Sequence, residues 1–382
     1  MDSHQSNISL LSKRLKNPGS KRLLALDGGG IRGLISLGYL EEIEKILRQR
    51  HKKPDLVLSD YFDLIGGTST GAIIACCLAL GWPVKRLQEM YQNLGRDAFA
   101  PRKNWFGPLG RFIGAKFADK PLEDLLKENI GDRTLDSPDV KTGLMIILKR
   151  TETSSVWVIV NIPGHRFYEM NRKIKLWELV RSSAAAPTFF KPKLISDVGE
   201  GEEAVFVDGG VSMHNNPALQ LLMVANLKGF SLEWPLGEEK LLLCSVGTGG
   251  FTRLVNKEAV KKFTNLHWLA MLITQLMTDA SELNQTILQW MSRSPTAKFI
   301  DRQIESLGDD FLTFPPLLSY LRYNVELEKT SLEKFGLQFN PKEIESLKKM
   351  SNVQNIPQLY NIGTTVAKKQ VLDKHFSKIF DM

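Results

Sequence analysis

The stretch Leu23-Leu24-Ala25-Leu26-Asp27-Gly28-Gly29-Gly30-Ile31-Arg32-Gly33 decides the fold. A short apolar run stops at Asp27, three glycines turn the chain, and Leu34, Leu37, Leu40, Ile43 and Leu47 then recur at helical spacing. Strand, glycine turn and helix follow one another. The same order returns where residues 61–65 lead into Gly66-Gly67-Thr68-Ser69-Thr70-Gly71 and an apolar run from Ala72 to Leu80, closed by Gly81 and Pro83. Two such units predict an α/β fold built on a parallel sheet.

Working outward, further strands are expected at 144–148, 156–160, 204–207 and 241–246, with helices at 176–186 and 217–227. Between 266 and 291, Leu269, Leu272, Ile273, Leu276 and Leu283 describe a long amphipathic helix with Trp268 and Trp290 near its ends. Its apolar face is expected to pack on the core. Residues 101–117, with Trp105, Phe106, Phe112 and Phe117, read as an irregular loop, either packed or free to act as a lid or to touch a membrane. Residues 1–20 are polar and lack the apolar core and cleavage site of a secretory signal, so they read as a loose tail. The remainder, 21–382, contains no repeat or linker and is expected to be one domain: a motif-bearing part over about 21–217 and a helical part over about 255–382 packed on it.

The chain has 382 residues, 43% hydrophobic and 24% charged, which excludes a disordered or fibrous protein. Its net charge of +8 favours anionic surfaces, although solubility alone accounts for such a charge. The only cysteines, Cys76, Cys77 and Cys244, read as buried thiols of a reducing compartment. No apolar run approaches the ~18–20 residues that span a bilayer, so membrane contact is expected to be peripheral.

Gly67-Thr68-Ser69-Thr70-Gly71 fits G-x-S-x-G between a strand and a helix, where a sharp turn presents the serine and the helix N-terminus favours negative charge beside it. The three glycines after Asp27 expose backbone N–H groups suited to an oxyanion, with Arg32 adding positive charge. Gly28, Gly30 and Gly33 also fit the G-x-G-x-x-G of dinucleotide-binding turns. That reading lacks an acidic residue about 20 positions on, since the second strand leads into Ser69 instead. A serine needs a base. Of His4, His51, His165, His214, His267 and His375, none has a strong setting, and His214 is the nearest candidate. Asp208, followed by Gly209 and Gly210 at a strand end, either faces Ser69 as a two-residue catalytic pair or caps a turn.

Asp27-Gly-Gly-Gly-Ile-Arg-Gly33, Gly67-Thr-Ser-Thr-Gly71 and Asp208-Gly-Gly210 stand in an order and spacing that resemble the patatin-like phospholipases. The segment Arg181-Ser-Ser-Ala-Ala-Ala-Pro187-Thr-Phe-Phe190 is similar to that family's Ala-rich helix and proline turn, and Leu321-Arg322-Tyr323-Asn324 to a common late segment. The resemblance implies a three-layer α/β/α fold with a mostly parallel central sheet. It implies Ser69 as nucleophile, Asp208 as base, and Gly28, Gly29, Gly30 and Arg32 as the oxyanion loop, supported by Gly33, Gly67, Gly71, Gly209 and Gly210. It implies no cofactor and no metal, and the sequence lacks H-E-x-x-H, Cys-x-x-Cys and EF-hand patterns. The implied substrate is a phospholipid, lysophospholipid or other acyl ester, met by transient contact with a membrane surface in the cytoplasm, with no nucleic acid as partner. Acyl transfer through the same dyad and activation by a small signalling nucleotide stay open within that family. Outside it, the alternative is a nucleotide-binding regulatory domain.

Overall fold

The computed structural model describes residues 10–97, 115–199, 201–251, 257–261 and 263–382. In chain order the elements that frame the site are β1 (Lys21–Leu26), α1 (Gly33–His51), β2 (Leu64–Thr68), α2 (Thr70–Ala79), β3 (Gly143–Arg150), β4 (Val156–Val160), α3 (Leu176–Ser183), β5 (Lys193–Ile195), β6 (Ala204–Asp208), α4 (Ala218–Asn226), β7 (Leu241–Val246), α5 (Asn265–Met291), β8 (Ser292–Arg293), β9 (Leu318–Tyr323) and α6 (Ile356–Gln370). The nine strands among the described residues form one sheet, hydrogen-bonded along the path β5-β6-β3-β2-β1-β7-β9-β8, with β4 paired to β3 off that path and with β2 and β6 meeting successive stretches of β3. Pairings from β3 through β2, β1, β7 and β9 to β8 are parallel, while β4, β6 and β5 are antiparallel additions. The fold is α/β with a mostly parallel central sheet.

Strand periodicity puts helices on both faces. Along β1, Leu24 and Leu26 enter the core with α1, α2, α3 and α6, whereas Leu23 and Ala25 enter a second core with α4, Trp234 and Leu288. Strands buried on both faces read as unbroken apolar runs, which is how Leu-Leu-Ala-Leu and Leu-Leu-Leu-Cys behave here.

Several boundaries differ from expectation. β2 begins at Leu64, because residues 58–61 form a helical turn, and it runs on through Gly66 and Gly67 to Thr68. The sequence alone places those glycines in a turn. They continue the strand because no side chain fits there: a Cβ on Gly67 would collide with the Gly71 carbonyl. Of the tail expected over 1–20, residues 1–9 lie outside the described residues, while residues 10–16 are helical and Leu15 is buried. They are held by Arg14 donating to the Asp60 and Phe62 carbonyls and by Trp234 Nε1 donating to the Leu15 carbonyl at 2.9 Å. Trp105, Phe106 and Phe112 of the expected loop lie outside the described residues, and Phe117 is buried.

The largest departure is α5. Leu272, Leu276 and Leu283, expected on the core, are 47%, 56% and 60% exposed, and Leu269 and Ile273 have side chains outside the description. Its inward side carries polar anchors. Asn284 donates to the Met213 and Asn216 carbonyls, and Gln289 to those of Lys298 and Ser306, while Met271, Ala280 and Leu288 are buried, so the helix turns toward the protein a face other than its leucine stripe.

Candidate active site

Strand pairing brings Ser69 and Asp208 together. β4 occupies one edge of β3 over residues 145–149, so β2 and β6 share the other edge. β2 runs up to Thr68 opposite Ile147, and β6 runs the other way down to Asp208 opposite Leu148. The two strands meet head-on at neighbouring positions of β3. A serine placed one residue past the first end then reaches a carboxylate at the second.

Ser69 occupies the turn into α2 with φ 56° and ψ −125°, a positive φ that is strained for a residue with a side chain. The turn is held on each side. The Ser69 N–H donates to Ser183 Oγ at 2.8 Å, and Ser183 Oγ donates to the Ile147 carbonyl at 2.7 Å. Thr68 Oγ1 donates to the His214 carbonyl at 2.6 Å, and Thr70 Oγ1 to the Gly30 carbonyl at 2.9 Å. Gly71 leaves no room for a Cβ, which would collide with the Leu26 carbonyl of β1. Ser69 itself is half-buried, so a substrate can reach it.

Asp208 is buried, and the Ser69 side chain is near enough to act on its carboxyl. Its Oδ1 accepts from the Gly210 N–H at 2.7 Å. Burial pushes the carboxyl up to about 6, against the Ser69 side chain and the Gly210 N–H, which favour its ionised form. A carboxylate so raised is a stronger base than an exposed aspartate. His214 contributes its backbone: its carbonyl receives Thr68, while burial and then Lys149 hold its imidazole below the usual value.

The glycine loop adjoins Ser69, for a Cβ on Gly28 would stand 3.2 Å from Ser69 Cβ. Its four expected members behave differently. The Gly28 N–H already donates to the Asn215 carbonyl at 3.0 Å, and the Gly28 carbonyl accepts from Thr248 Oγ1 at 2.9 Å. Gly29 and Gly30 remain as N–H donors with no partner among the described residues. Gly30 has φ 58°, and its Cβ would collide with the Met350 carbonyl, so the turn admits only glycine. Arg32 is buried beside the Phe251 ring, with Nε and Nη1 lacking partners among the described residues. Burial lowers its pKa to about 10, against the pull of Asp27.

Four supporting residues escaped sequence reasoning. Ser183, Asn215 and Thr248 fasten the two turns, and Arg322 grips Asp27 with Nη1 to Oδ1 at 3.0 Å and Nη2 to Oδ2 at 2.6 Å. Burial disfavours the Arg322 charge, but the Asp27 carboxylate outweighs it and holds the guanidinium above its ordinary value. The motif 321–324 drew notice without a role, and Ser183 lay inside the Ala-rich segment. Among the described residues no group of three or more His, Cys, Asp or Glu could hold a metal ion.

With this geometry in hand, three comparisons add context. A family model described as patatin-like phospholipase matches residues 24–222. Patatin-17 of Solanum cardiophyllum is 31% identical over 284 residues, covering 69% of this chain and 70% of that protein. A cGAMP-activated phospholipase of Escherichia coli is 28% identical over 229 residues, covering 60% of this chain and 62% of that protein. Among solved structures, the human GIVD cytosolic phospholipase A2 aligns with 97% of this chain and 63% of its own, at 12% identity and a TM-score of 0.45.

Proposed function

The chain belongs to the patatin-like phospholipases and is a lipid acyl hydrolase, and from that premise we propose that it works through a Ser69–Asp208 dyad with the N–H groups of Gly29 and Gly30 as its oxyanion hole. The observation that carries this reading is the head-on meeting of β2 and β6 on β3, which sets Ser69 beside a buried Asp208. In the first half-reaction Ser69 Oγ attacks the ester carbonyl carbon while its proton passes to Asp208, and the carbonyl oxygen takes the negative charge. Gly29 and Gly30 donate to that oxygen, and the N-terminus of α2 lies beside it. The intermediate then expels the alcohol, which leaves with the proton from Asp208, and the acyl group stays on Ser69. Water gives a proton to Asp208 and attacks the acyl carbon, and the fatty acid departs as Ser69 regains its hydrogen.

The test is labelling by a fluorophosphonate together with release of fatty acid from a phospholipid panel. Ser69→Ala is expected to lose both, by a factor on the order of 1,000 or more in turnover. Retained hydrolysis in that variant overturns the dyad. Phospholipid or another acyl ester as substrate implies transient, peripheral contact with a lipid surface, and no helix among the described residues is long and apolar enough to cross a membrane. The buried free thiols of Cys76, Cys77 and Cys244 support a reducing, cytoplasmic setting.

A second reading, that turnover waits on a small nucleotide, has one observation in its favour. A cavity of about 480 Å³ is lined by Lys298, Arg322, Asn324, Glu326, Lys369 and His375, and Arg322 is the residue that grips Asp27 at the root of the glycine loop. A ligand there would touch the support of the oxyanion hole. Turnover of a short soluble ester with and without added cGAMP tests it, and equal rates set it aside.

A further inference from the structure

We infer that α5 is the surface by which this hydrolase docks on a phospholipid bilayer, its outward apolar stripe lying at the headgroup boundary beside the mouth of the active site. The inference rests on the lipid-hydrolase reading for its choice of partner. The stripe is defined by exposure. Trp268, Leu272, Leu276, Leu283 and Trp290 are 39%, 47%, 56%, 60% and 40% exposed on a helix of 27 residues. At about 100° per residue, the three leucines and Trp290 project within roughly 40° of one another, and Trp268 lies about 40° further round. Asp279 falls within this arc, which keeps the stripe at the interface and stops it sinking deep into the acyl region.

Two contacts on the inward side of α5 join the helix to the site. Asn284 Nδ2 donates to the Met213 carbonyl at 3.2 Å and the Asn216 carbonyl at 3.3 Å, so α5 is clamped to the turn that follows Asp208-Gly209-Gly210. On that turn Val211 and Met213 are themselves 43% and 59% exposed. From Asn284 the helix runs on toward its N-terminus, carrying Leu276, Leu272 and Trp268 as far as ~24 Å past the clamp at 1.5 Å per residue. Before it stand Lys257 and Lys261, both exposed, Lys261 pairing with Glu258 at 2.7 Å, and Phe263 is packed on Trp268 at 5.5 Å. Exposed lysines beside an aromatic pair and an apolar stripe suit an anionic headgroup layer.

A second copy of the chain is the competing occupant, and area argues against it. Five half-exposed side chains offer on the order of 500 Å², short of the ~800 Å² per partner that a stable dimer buries. A bilayer sets no such threshold.

The test uses the full chain carrying Ser69→Ala, so that vesicles stay intact, in co-sedimentation with mixed phosphatidylcholine and phosphatidylglycerol vesicles. Adding Leu272→Ser, Leu276→Ser and Leu283→Ser together is expected to weaken partition at least about tenfold. Asp279→Leu, which completes the stripe, is expected to strengthen it. With Ser69 restored, the triple variant should lose turnover on vesicles and keep wild-type turnover on a soluble short-chain ester. Unchanged partition in both variants overturns the inference. So does a wild-type dimer in sedimentation velocity that the triple variant dissociates without loss of vesicle binding. A wild-type chain that binds vesicles yet cleaves neither substrate, with or without cGAMP, would instead overturn the hydrolase reading and leave docking standing.

Discussion

At the scale of the residue, Asp208 couples activity to stability with opposite signs. As base it must be ionised, so kcat/KM should rise with pH along a limb centred at about 6, and a profile flat from pH 5 to 8 would contradict its role. The same shift works against the fold. Because the folded chain holds the Asp208 proton more tightly than an unfolded aspartate at 3.8, folding is favoured as pH falls from about 6 toward 4 and opposed above 6. Two pKa units correspond to about 3 kcal/mol at pH 7 as an upper figure. Asp208→Asn should therefore abolish turnover and yet raise the urea midpoint at pH 7.5, the gain fading to nothing near pH 4. Loss of stability in that variant at pH 7.5 would mean that the carboxylate is better paired than burial allows. Nothing in the local sequence announces this, since Val-Asp-Gly-Gly reads equally as a turn cap; the raised pKa exists only because β6 buries the side chain beside Ser69.

At the scale of the element, what was legible was whatever one strand-turn-helix unit decides by itself. The glycine turn after β1, and Ser69 at the turn into α2, stand where the 21–33 and 61–80 stretches put them, because backbone collisions at Gly30 and Gly71 leave no other residue possible. What was illegible depends on partners more than a hundred residues away. Ser183 on α3 holds the Ser69 N–H through a contact across 114 positions, and no periodicity marks it. Ser183→Ala should strand both that N–H and the Ile147 carbonyl, costing about 1–3 kcal/mol and lowering kcat more than raising KM, as the nucleophile turn loosens. Urea denaturation and steady-state kinetics check the two parts separately, and unchanged kcat would leave Ser183 with a purely structural role. The rotation of α5 was misread for a related reason: leucine periodicity gives the apolar face of a helix but not which face a distant turn will claim through Asn284.

At the scale of the whole molecule, the early motifs depend on late sequence. The Ile31 N–H of the glycine loop donates to the Met350 carbonyl at 2.9 Å, Arg322 of β9 neutralises Asp27, and α6 lies against α1 at Gly38 and Gly363. There a Cβ on Gly363 would stand 2.6 Å from the Ile35 carbonyl, and one on Gly38 2.5 Å from the Thr364 backbone nitrogen, so the two helices touch backbone to backbone. Two losses follow if this dependence is real. Arg322→Ala takes from the buried Asp27 carboxylate its hydrogen-bonded partner, a loss of about 3–5 kcal/mol for a broken buried pair. Gly363→Leu, with every motif residue untouched, must force α6 off α1, for about 3 kcal/mol by overpacking, and displace the segment that presents Met350. Fluorophosphonate labelling read along a urea titration tests the connection: in Gly363→Leu the Ser69 signal should disappear at lower urea, in step with the loss of helical signal. Labelling that persists after the helical signal has gone would mean that residues 24–222 hold the site unaided, and that the C-terminal third is an attachment to the catalytic fold instead of part of it.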